Sequence, residues 1–274
     1  MHATPRYPCA LTIAGSDSGG GAGIQADLKT FAAFAVYGAS VITAVTAQNS
    51  LAVRAVHNIP PHVIAAQLDA VLEDLPIRVV KIGMLSTADT IRVVAERLRA
   101  HAVATIVLDP VLVATSGDPL LHDAAVEALL EHLFPLATLI TPNLPEAARL
   151  LHMDSIDDAG TATRALLGLG AKAVLLKGGH GSGETLEDYL LMAGMPEPLR
   201  YCHAQQRTRH THGTGCSLSS AIAAGLAHGE ALAVATEHAI GWLQHAIAHA
   251  WPLGAGHGPV HHFWQYWPNS MEGE

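Results

Sequence analysis

Cysteine and basic residues are scarce in this chain, and its apolar runs are short. Three cysteines, scattered and odd in number, indicate neither a disulfide framework nor a zinc knuckle. Lysine and arginine total 15 against 24 acidic residues, and without a basic run we expect no nucleic-acid partner. No apolar run reaches the roughly 18 residues of a membrane span, and the first residues lack the apolar core of a signal peptide. We therefore expect a cytoplasmic protein that does not bind membranes.

Charge of either sign is also sparse, and this favours a globular chain with a large core. Charged residues make up 14% of the sequence, hydrophobic residues make up 50%, and the mean hydropathy is +0.27. A chain of 274 residues fits one α/β domain, and the sequence contains no repeat, linker or low-complexity block. We predict a single domain over residues 1–274.

One stretch combines an anion cradle with a nucleophilic side chain. Residues 211–216 read Thr-His-Gly-Thr-Gly-Cys and precede a predicted helix over Leu218–Leu226. Glycines at a helix N-terminus leave backbone N–H groups open to an anion, and the same field favours the thiolate of a cysteine. A helix cap followed by a small buried cysteine is the alternative. The predicted anion site comprises Gly213, Thr214, Gly215 and Cys216.

A glycine-rich turn near the N-terminus has the form of a ligand-binding loop. The predicted strand Ala10–Ala14 runs into the loop Gly15–Gly23, and a helix is expected over Ile24–Ala35. The glycines fit neither the dinucleotide fingerprint nor a Walker A loop, because Leu28 stands where the latter needs its second glycine. Asp27, on the first helical turn, could accept a hydrogen bond from a ligand; a surface acid favoured by the helix dipole is the alternative.

The next predicted strand, Ser40–Ala47, leads directly to Gln48. Open α/β sheets bind ligands at the carboxyl ends of their strands, and an amide can donate and accept hydrogen bonds at once. Gln48 therefore suits the edge of a heteroaromatic ring. A turn-forming glutamine is the alternative.

Three further predicted strands end in residues capable of chemistry. These strands, Val79–Met84, Thr105–Pro110 and Thr138–Asn143, alternate with helices, which indicates a parallel sheet. Asp109 and Glu146 then share one sheet edge, where two carboxylates could hold hydrated Mg²⁺. Ordinary turn and helix-start chemistry is the alternative for each. The accompanying helices are predicted at Val63–Leu75, Thr90–Arg99 and Asp123–Leu133.

The last third of the chain adds a cation to the same edge. The predicted strand Ala173–Lys177 ends in a lysine, where phosphates would lie. Glu187–Met192 and Leu199–Gln205 predict an antiparallel pair, and an alanine-rich helix is expected over Glu230–His249.

Taken together, these segments resemble the hydroxymethylpyrimidine/phosphomethylpyrimidine kinase family of the ribokinase superfamily, which serves thiamine synthesis. The resemblance covers nearly the whole chain in order, and the run Ala-Gly-Ser-Asp-Ser-Gly-Gly-Gly-Ala-Gly-Ile-Gln-Ala-Asp is highly specific. It implies a three-layer αβα fold, ATP with Mg²⁺, and two successive phosphorylations of 4-amino-5-hydroxymethyl-2-methylpyrimidine. It is carried by Ala14–Thr30, Lys81–Leu85, Leu108–Gly117, Ile140–Ala147, Leu176–His180, Thr211–Ala224 and Gly256–His262.

The same resemblance implies roles for individual residues. It implies an anion hole at Gly213–Cys216, in which Cys216 removes the proton of the substrate hydroxymethyl group or acts through its backbone N–H. It also implies ATP binding by Lys177 and Asn143, and a homodimer. The chain departs from the family pattern at Leu112, usually Met, and at His210, commonly Asn. The implied substrate pocket comprises Gly15, Asp27, Gln48 and Met84.

Three alternatives to this function stay open at this point. A pyridoxal or pyridoxine kinase of the same fold has a substrate of similar size and chemistry. A non-catalytic pyrimidine-binding regulator would not need every phosphate-handling part that the sequence retains. A dinucleotide oxidoreductase would need the missing glycine fingerprint.

Overall fold

A computed structural model describes residues 7–112, 123–178 and 185–267 of the chain. Motif positions 113–117 and 179–180 lie outside these residues. The strands are β1 (Cys9–Asp17), β2 (Tyr37–Gln48), β3 (Val53–Asn58), β4 (Ile77–Ile82), β5 (Ile106–Leu108), β6 (Leu139–Ile140), β7 (Ala173–Leu176), β8 (Thr185–Met192) and β9 (Leu199–Ala204). The helices are α1 (Gly23–Ala33), α2 (Pro61–Asp74), α3 (Ala88–Ala100), α4 (Asp123–Ala128), α5 (Leu144–Leu150), α6 (Ala159–Leu167), α7 (Thr214–His228) and α8 (Leu232–Ala248).

In the described residues these strands form one sheet in the order β3-β2-β1-β4-β5-β6-β7-β8-β9. The central pairs are parallel, whereas β3 at one edge and β8 and β9 at the other pair antiparallel. Strands β1, β5, β6 and β7 are almost wholly buried, as expected when helices cover both faces of a sheet, whereas the 12-residue β2 is only partly buried. The predicted parallel sheet is confirmed.

Helices pack on both faces of the sheet and enclose two apolar cores. One core contains buried side chains of α2, α3, α4, α5 and α6. The other contains buried side chains of α1, α7 and α8. The architecture is therefore three-layered, αβα, as the resemblance implied. Among the described residues, no helix combines the length and the apolar character needed to cross a bilayer.

This architecture brings the glycine loop and the residues 211–216 together at the carboxyl edge of the parallel strands. Strand β1 leads into the loop before α1, and β2, β4, β5 and β6 end at the same edge. The start of α7 faces this edge from the second core, where α7 packs against α1 and α8. A site for ligands is expected there in open α/β sheets.

Candidate active site

A cavity of about 570 Å³ opens at this edge of the sheet. Of the twelve site residues predicted from sequence, eleven line its wall. Asp27 is the exception. The eleven are Gly15, Gln48, Met84, Asp109, Asn143, Glu146, Lys177, Gly213, Thr214, Gly215 and Cys216.

The glycine loop is folded around the carboxylate of Asp17. This carboxylate accepts backbone N–H bonds from Gly19, Gly21 and Ala22 at 2.8, 3.0 and 2.8 Å. It also pairs with Nε2 of His212 at 2.9 Å, which joins the glycine loop to the residues before α7. Burial alone would raise the pKa of Asp17, but the hydrogen bonds from His212 and the backbone hold it below its usual value. Sequence reasoning gave neither Asp17 nor His212 a role.

Gly213 is required at the start of α7 for two physical reasons. Its φ of +82° lies in the left-handed region, and a Cβ there would lie 1.9 Å from the carbonyl oxygen of Gly21. No side chain caps this helix end. The backbone N–H of Thr214 donates to the Thr211 carbonyl at 3.3 Å, which leaves the N–H groups of Gly215 and Cys216 for an anion that enters the cavity.

Gly215 faces the charged side chains of the cavity. A Cβ on Gly215 would lie 3.4 Å from Oδ2 of Asp109 and 3.4 Å from Nζ of Lys177. Lys177 donates to Oδ1 of Asp109 at 3.0 Å, and Thr141 donates to the same oxygen at 2.9 Å. Burial alone would raise the pKa of Asp109, but Lys177 and Lys81 outweigh it and keep the carboxylate ionised.

Glu146 lies beside this pair and forms a capping box with Asn143. The Glu146 carboxylate accepts from the Asn143 N–H at 2.9 Å, and the Asn143 side chain accepts from the Glu146 N–H at 2.8 Å. Burial raises the pKa of Glu146 to about 7, Lys177 opposes this shift, and the charge of Asp109 adds to it. The capping box also explains why Asn143 lies in the cavity wall.

Asp109 and Glu146 suit a divalent cation that the substrate phosphates help to hold. In the described residues, no group of three or more His, Cys, Asp and Glu side chains could hold a metal by itself. Mg²⁺ commonly uses one or two carboxylates together with phosphate oxygens and water. Two neighbouring buried carboxylates with hard oxygen donors fit that pattern, and the Mg²⁺ site stays a prediction.

Asp27 does not reach the cavity, which corrects the expected ligand contact. Its side chain is 0% exposed, and Nζ of Lys81 lies 2.8 and 2.9 Å from its two carboxylate oxygens. The hydroxyls of Thr12 and Ser220 donate to it at 2.6 and 2.7 Å. Burial alone would lower the pKa of Lys81, but Asp27 raises it above its usual value. Asp27 therefore binds Lys81 and Ser220 of α7, and through them it supports the cavity wall.

Sequence reasoning also assigned no role to Lys81, although a signal was present. A lysine within the apolar run Val-Val-Lys-Ile of β4 must be paired if it is buried. Lys81 is 0% exposed and contributes to the cavity wall. It belongs to the electrostatic environment of the site.

The pKa of the Cys216 thiol lies above its usual value, so its surroundings favour the thiol rather than the thiolate expected from the helix field. Burial raises its pKa to about 11; Lys81 opposes that shift, and the carboxylates of Asp27 and Asp109 add to it. Loss of solvation outweighs the helix N-terminus and the nearby cation here. The side chain is partly buried in the cavity wall.

The opposite part of the cavity wall suits a flat polar ring. Oε1 of Gln48 accepts from the Thr46 hydroxyl at 3.2 Å, and Nε2 lies 3.4 Å from Nε2 of His212. A Cβ on Gly15 would lie 2.6 Å from Cε of Met84, so the two residues pack closely. Gln48, Gly15 and Met84 thus share one side of the cavity.

A second cavity of about 420 Å³ adjoins the first, and Asn143, Lys177, Thr214 and Gly215 line both. Its apolar wall comes mainly from α7 and α8. A polar chain lies at its other side: Asp188 pairs with Nε2 of His203 at 3.1 Å, and Nδ1 of His203 lies 3.0 Å from Nε2 of Gln244. The large apolar side chains of this wall are Leu186, Leu218, Ile240, Leu243 and Ile247.

Two adjoining cavities therefore meet at an uncapped helix start, and a lysine and two carboxylates line the cavity wall near it. Within a three-layer αβα fold, this arrangement defines a small-molecule kinase of the ribokinase type. The chain belongs to the phosphomethylpyrimidine kinase family, which matches residues 17–261. It is therefore a phosphotransferase, and the predicted family is confirmed.

Individual relatives agree with this assignment. The chain is similar to the hydroxymethylpyrimidine/phosphomethylpyrimidine kinase of Rhizobium meliloti strain 1021, with 51% identity over 94% of this chain and 98% of that relative. It is similar to the crystal structure of phosphomethylpyrimidine kinase from Clostridium difficile 630, with 43% identity, a TM-score of 0.77 and coverage of 88% and 99% of the two chains. It is also similar to the pyridoxal kinase from Staphylococcus aureus in complex with AMP-PCP and pyridoxal, with 30% identity, a TM-score of 0.86 and 94% coverage of each chain.

Proposed function

We propose that this chain uses ATP to phosphorylate 4-amino-5-hydroxymethyl-2-methylpyrimidine, first to the monophosphate and then to the diphosphate, in thiamine synthesis. One observation carries the proposal beyond family membership. The uncapped start of α7 lies next to the Asp109 and Lys177 pair, between two cavities that differ in chemistry. Such a boundary suits the transfer of a phosphoryl group from one ligand to another.

The first cavity is proposed to bind the pyrimidine. An aminopyrimidine presents an amino donor next to a ring-nitrogen acceptor, and the Gln48 amide offers the matching acceptor and donor. Gly15 and Met84, which also line this cavity and pack closely together, are proposed to contact the faces of the ring. The hydroxymethyl group would then point toward Gly213–Cys216.

The second cavity is proposed to bind the base of the nucleotide. The residues that line both cavities are proposed to bind its phosphates. Apolar side chains of α7 and α8 suit the face of an adenine. Asn143 and Lys177 border both cavities, in agreement with their predicted role in ATP binding. Lys177 has three N–H donors, so it can bind Asp109 and a phosphate oxygen together.

Phosphoryl transfer depends on alignment and on stabilising charge that develops on the moving group. In the proposed mechanism, the N–H groups of Gly213–Cys216 donate to the oxygens of that group, and Lys177 balances the charge on the departing ADP. Asp109 and Glu146 would hold Mg²⁺. The chemistry supplied by bound Mg²⁺ is charge neutralisation on the ATP oxygens.

Cys216 is proposed to act chiefly through its backbone N–H. Because the pKa of the thiol is about 11, its basic thiolate form is scarcely populated at neutral pH. This supports the backbone role over proton removal. The side-chain role stays a prediction that substitution can test. The cytoplasmic location, the single domain and the homodimer also stay predictions.

The test is an ADP-release assay with MgATP and three acceptors: the pyrimidine, its monophosphate and pyridoxal. We expect turnover with both pyrimidines, and mass spectrometry should identify the monophosphate and the diphosphate. The Lys177→Met variant should lose turnover with every acceptor, since it removes the proposed phosphate ligand together with the cation that pairs with Asp109. Pyridoxal is included because of the similarity to a pyridoxal kinase. Turnover with pyridoxal but with neither pyrimidine would refute the proposal in favour of a pyridoxal kinase.

A further inference from the structure

A segment near the C-terminus, Gly256–His262, contacts several loops of the site without lining either cavity. We call this segment the C-terminal strap. Its Gly258 carbonyl accepts from the backbone N–H of His212 at 3.1 Å, and Pro259 forms a β-bridge with His212. At its other end, the N–H of His257 donates to the carbonyl of Ser50 at 3.0 Å. The C-terminal strap thus joins the turn after β2 to the residues that precede α7.

His262 ends the C-terminal strap and touches α7 itself. Its Nε2 lies 3.0 Å from the hydroxyl oxygen of Ser217, which follows Cys216 in the first turn of α7. His262 is 4% exposed and Ser217 is 0% exposed, so water does not replace this hydrogen bond. Burial lowers the pKa of His262 to about 3, with Lys29 and His261 contributing, so the ring is neutral at working pH. A neutral imidazole offers one donor and one acceptor and suits a serine hydroxyl.

The first two turns of α7 have few polar links to the rest of the protein. Ser219 bonds only to carbonyl groups of its own helix, those of Gly215 and Cys216. Two hydroxyl groups of these turns bond to other parts of the protein, Ser220 to Asp27 and Ser217 to His262, and the Cys216 sulfur also interacts with the backbone N–H of Gly23. The remaining contacts of these turns are apolar, because Leu218 and Ile222 pack with small side chains of α7 in the second core.

We propose that His262 is a positioning residue for phosphoryl transfer: its hydrogen bond to Ser217 holds the first turn of α7, and with it the anion-binding N–H groups, in register with the cavity. The inference rests on the proposed use of that turn as the phosphoryl site. Displacements of about 1 Å at such a site can lower rates by roughly two orders of magnitude. His262 touches neither ligand cavity, so its effect must pass through Ser217.

The experiment is a double-mutant cycle with a rescue variant. We expect His262→Leu and Ser217→Ala each to lower kcat about 10- to 100-fold, with the KM for ATP and for the pyrimidine nearly unchanged. The double variant should be no slower than either single variant, because both remove the same hydrogen bond. His262→Gln should recover most of kcat, since its amide can replace Nε2 as the partner of Ser217. His261→Leu is the matched control: the His261 ring lies against Trp267, and its Nδ1 accepts a hydrogen bond from the backbone N–H of Phe263.

Amide hydrogen exchange over residues 213–218 provides a readout that needs no turnover. Exchange there should be faster in His262→Leu and Ser217→Ala, and unchanged in His261→Leu and His262→Gln. The inference is overturned if His262→Leu keeps wild-type kcat and exchange, if the two single effects add, or if His261→Leu is equally slow. A wild-type protein inactive on both pyrimidines would instead refute the proposed function. The exchange data would still decide whether the hydrogen bond between His262 and Ser217 holds the first turn of α7.

Discussion

The thiol of Cys216 provides the sharpest test of how this site works. Burial raises its pKa to about 11 against the influence of Lys81. An acid with a raised pKa stays protonated below that value, so at pH 7 only about one thiol in ten thousand is ionised. We therefore expect Cys216→Ser to keep kcat within about tenfold of the wild type at neutral pH, because the substitution preserves the backbone N–H.

A base role for the thiolate makes different predictions for the same variants. The thiolate fraction rises tenfold for each pH unit up to about pH 11, so kcat/KM would rise in proportion between pH 6 and pH 10. Cys216→Ser would then lose activity strongly. Cys216→Asp would recover part of it with an acid-shifted profile, since carboxylates titrate lower.

The assay is the pH dependence of kcat/KM for the pyrimidine in the wild type, Cys216→Ser and Cys216→Asp. Cys202→Ser is the matched control. Cys202 is an exposed cysteine on β9 and lines neither cavity. A wild-type profile without a rising limb through pH 9, together with an active Cys216→Ser, supports the backbone role. A loss of 100-fold or more in Cys216→Ser, with a log-linear rise in the wild type, would refute our reasoning.

Three further predictions follow from close contacts in the site. Gly213→Ala should lower kcat at least about 100-fold and also lower Tm, because the new Cβ would lie 1.9 Å from the Gly21 carbonyl oxygen. In Gly215→Ala the new Cβ would lie 3.4 Å from Asp109 and Lys177, so kcat should fall with little change in Tm. Gln48→Leu should weaken pyrimidine binding by about 1–3 kcal/mol and leave the KM for ATP unchanged; an equal loss for ATP would indicate general disruption. Lys81→Met should lower the free energy of unfolding by about 3–5 kcal/mol in urea titrations, because it leaves Asp27 charged and buried, and Lys81→Met with Asp27→Leu should recover part of it.

The sheet and its functional edge could be predicted because they depend on chain direction and on local patterns. A buried parallel strand reads as a short apolar run, and the residue after it must lie at the carboxyl edge. Gln48, Asp109 and Lys177 follow this rule, and all three line the cavity. The residue types at those ends then limit the chemistry to hydrogen bonding and the binding of phosphate or a cation.

Helix α6 was not predicted, for a physical reason that its sequence makes plain. The segment Ala159–Leu167 contains a glycine and two threonines, which weaken helix propensity. Asp158 caps its first turn through the N–H of Gly160, and Ala162 and Leu166 are buried against the sheet. Tertiary packing and one cap outweigh the local preference in this case.

The contacts between distant loops could not be predicted from local patterns. A Cβ on Gly213 would lie 1.9 Å from the carbonyl oxygen of Gly21, yet 191 intervening residues separate the two glycines. The pairing of Asp17 with His212 is equally distant in sequence. A single sequence shows that these residues are glycines, an acid and a histidine, but it does not show which loops face each other.

Asp27 lies in the family motif around the glycine loop but does not line the ligand cavity. A motif of this kind is therefore not by itself evidence that each of its residues contacts a ligand. The residue closes the most characteristic run of the family resemblance, and its place on the first turn after a glycine loop suggested a ligand acceptor. A carboxylate on that turn has two possible environments: the cavity, or the interface between α1, β4 and α7. The lysine in β4 decides between them, because a cation in an apolar strand is stable only beside an anion. Since the Asp27 carboxylate also accepts from Ser220, the motif holds α7 in place, and the anion-binding turn depends on it through the helix rather than through the ligand.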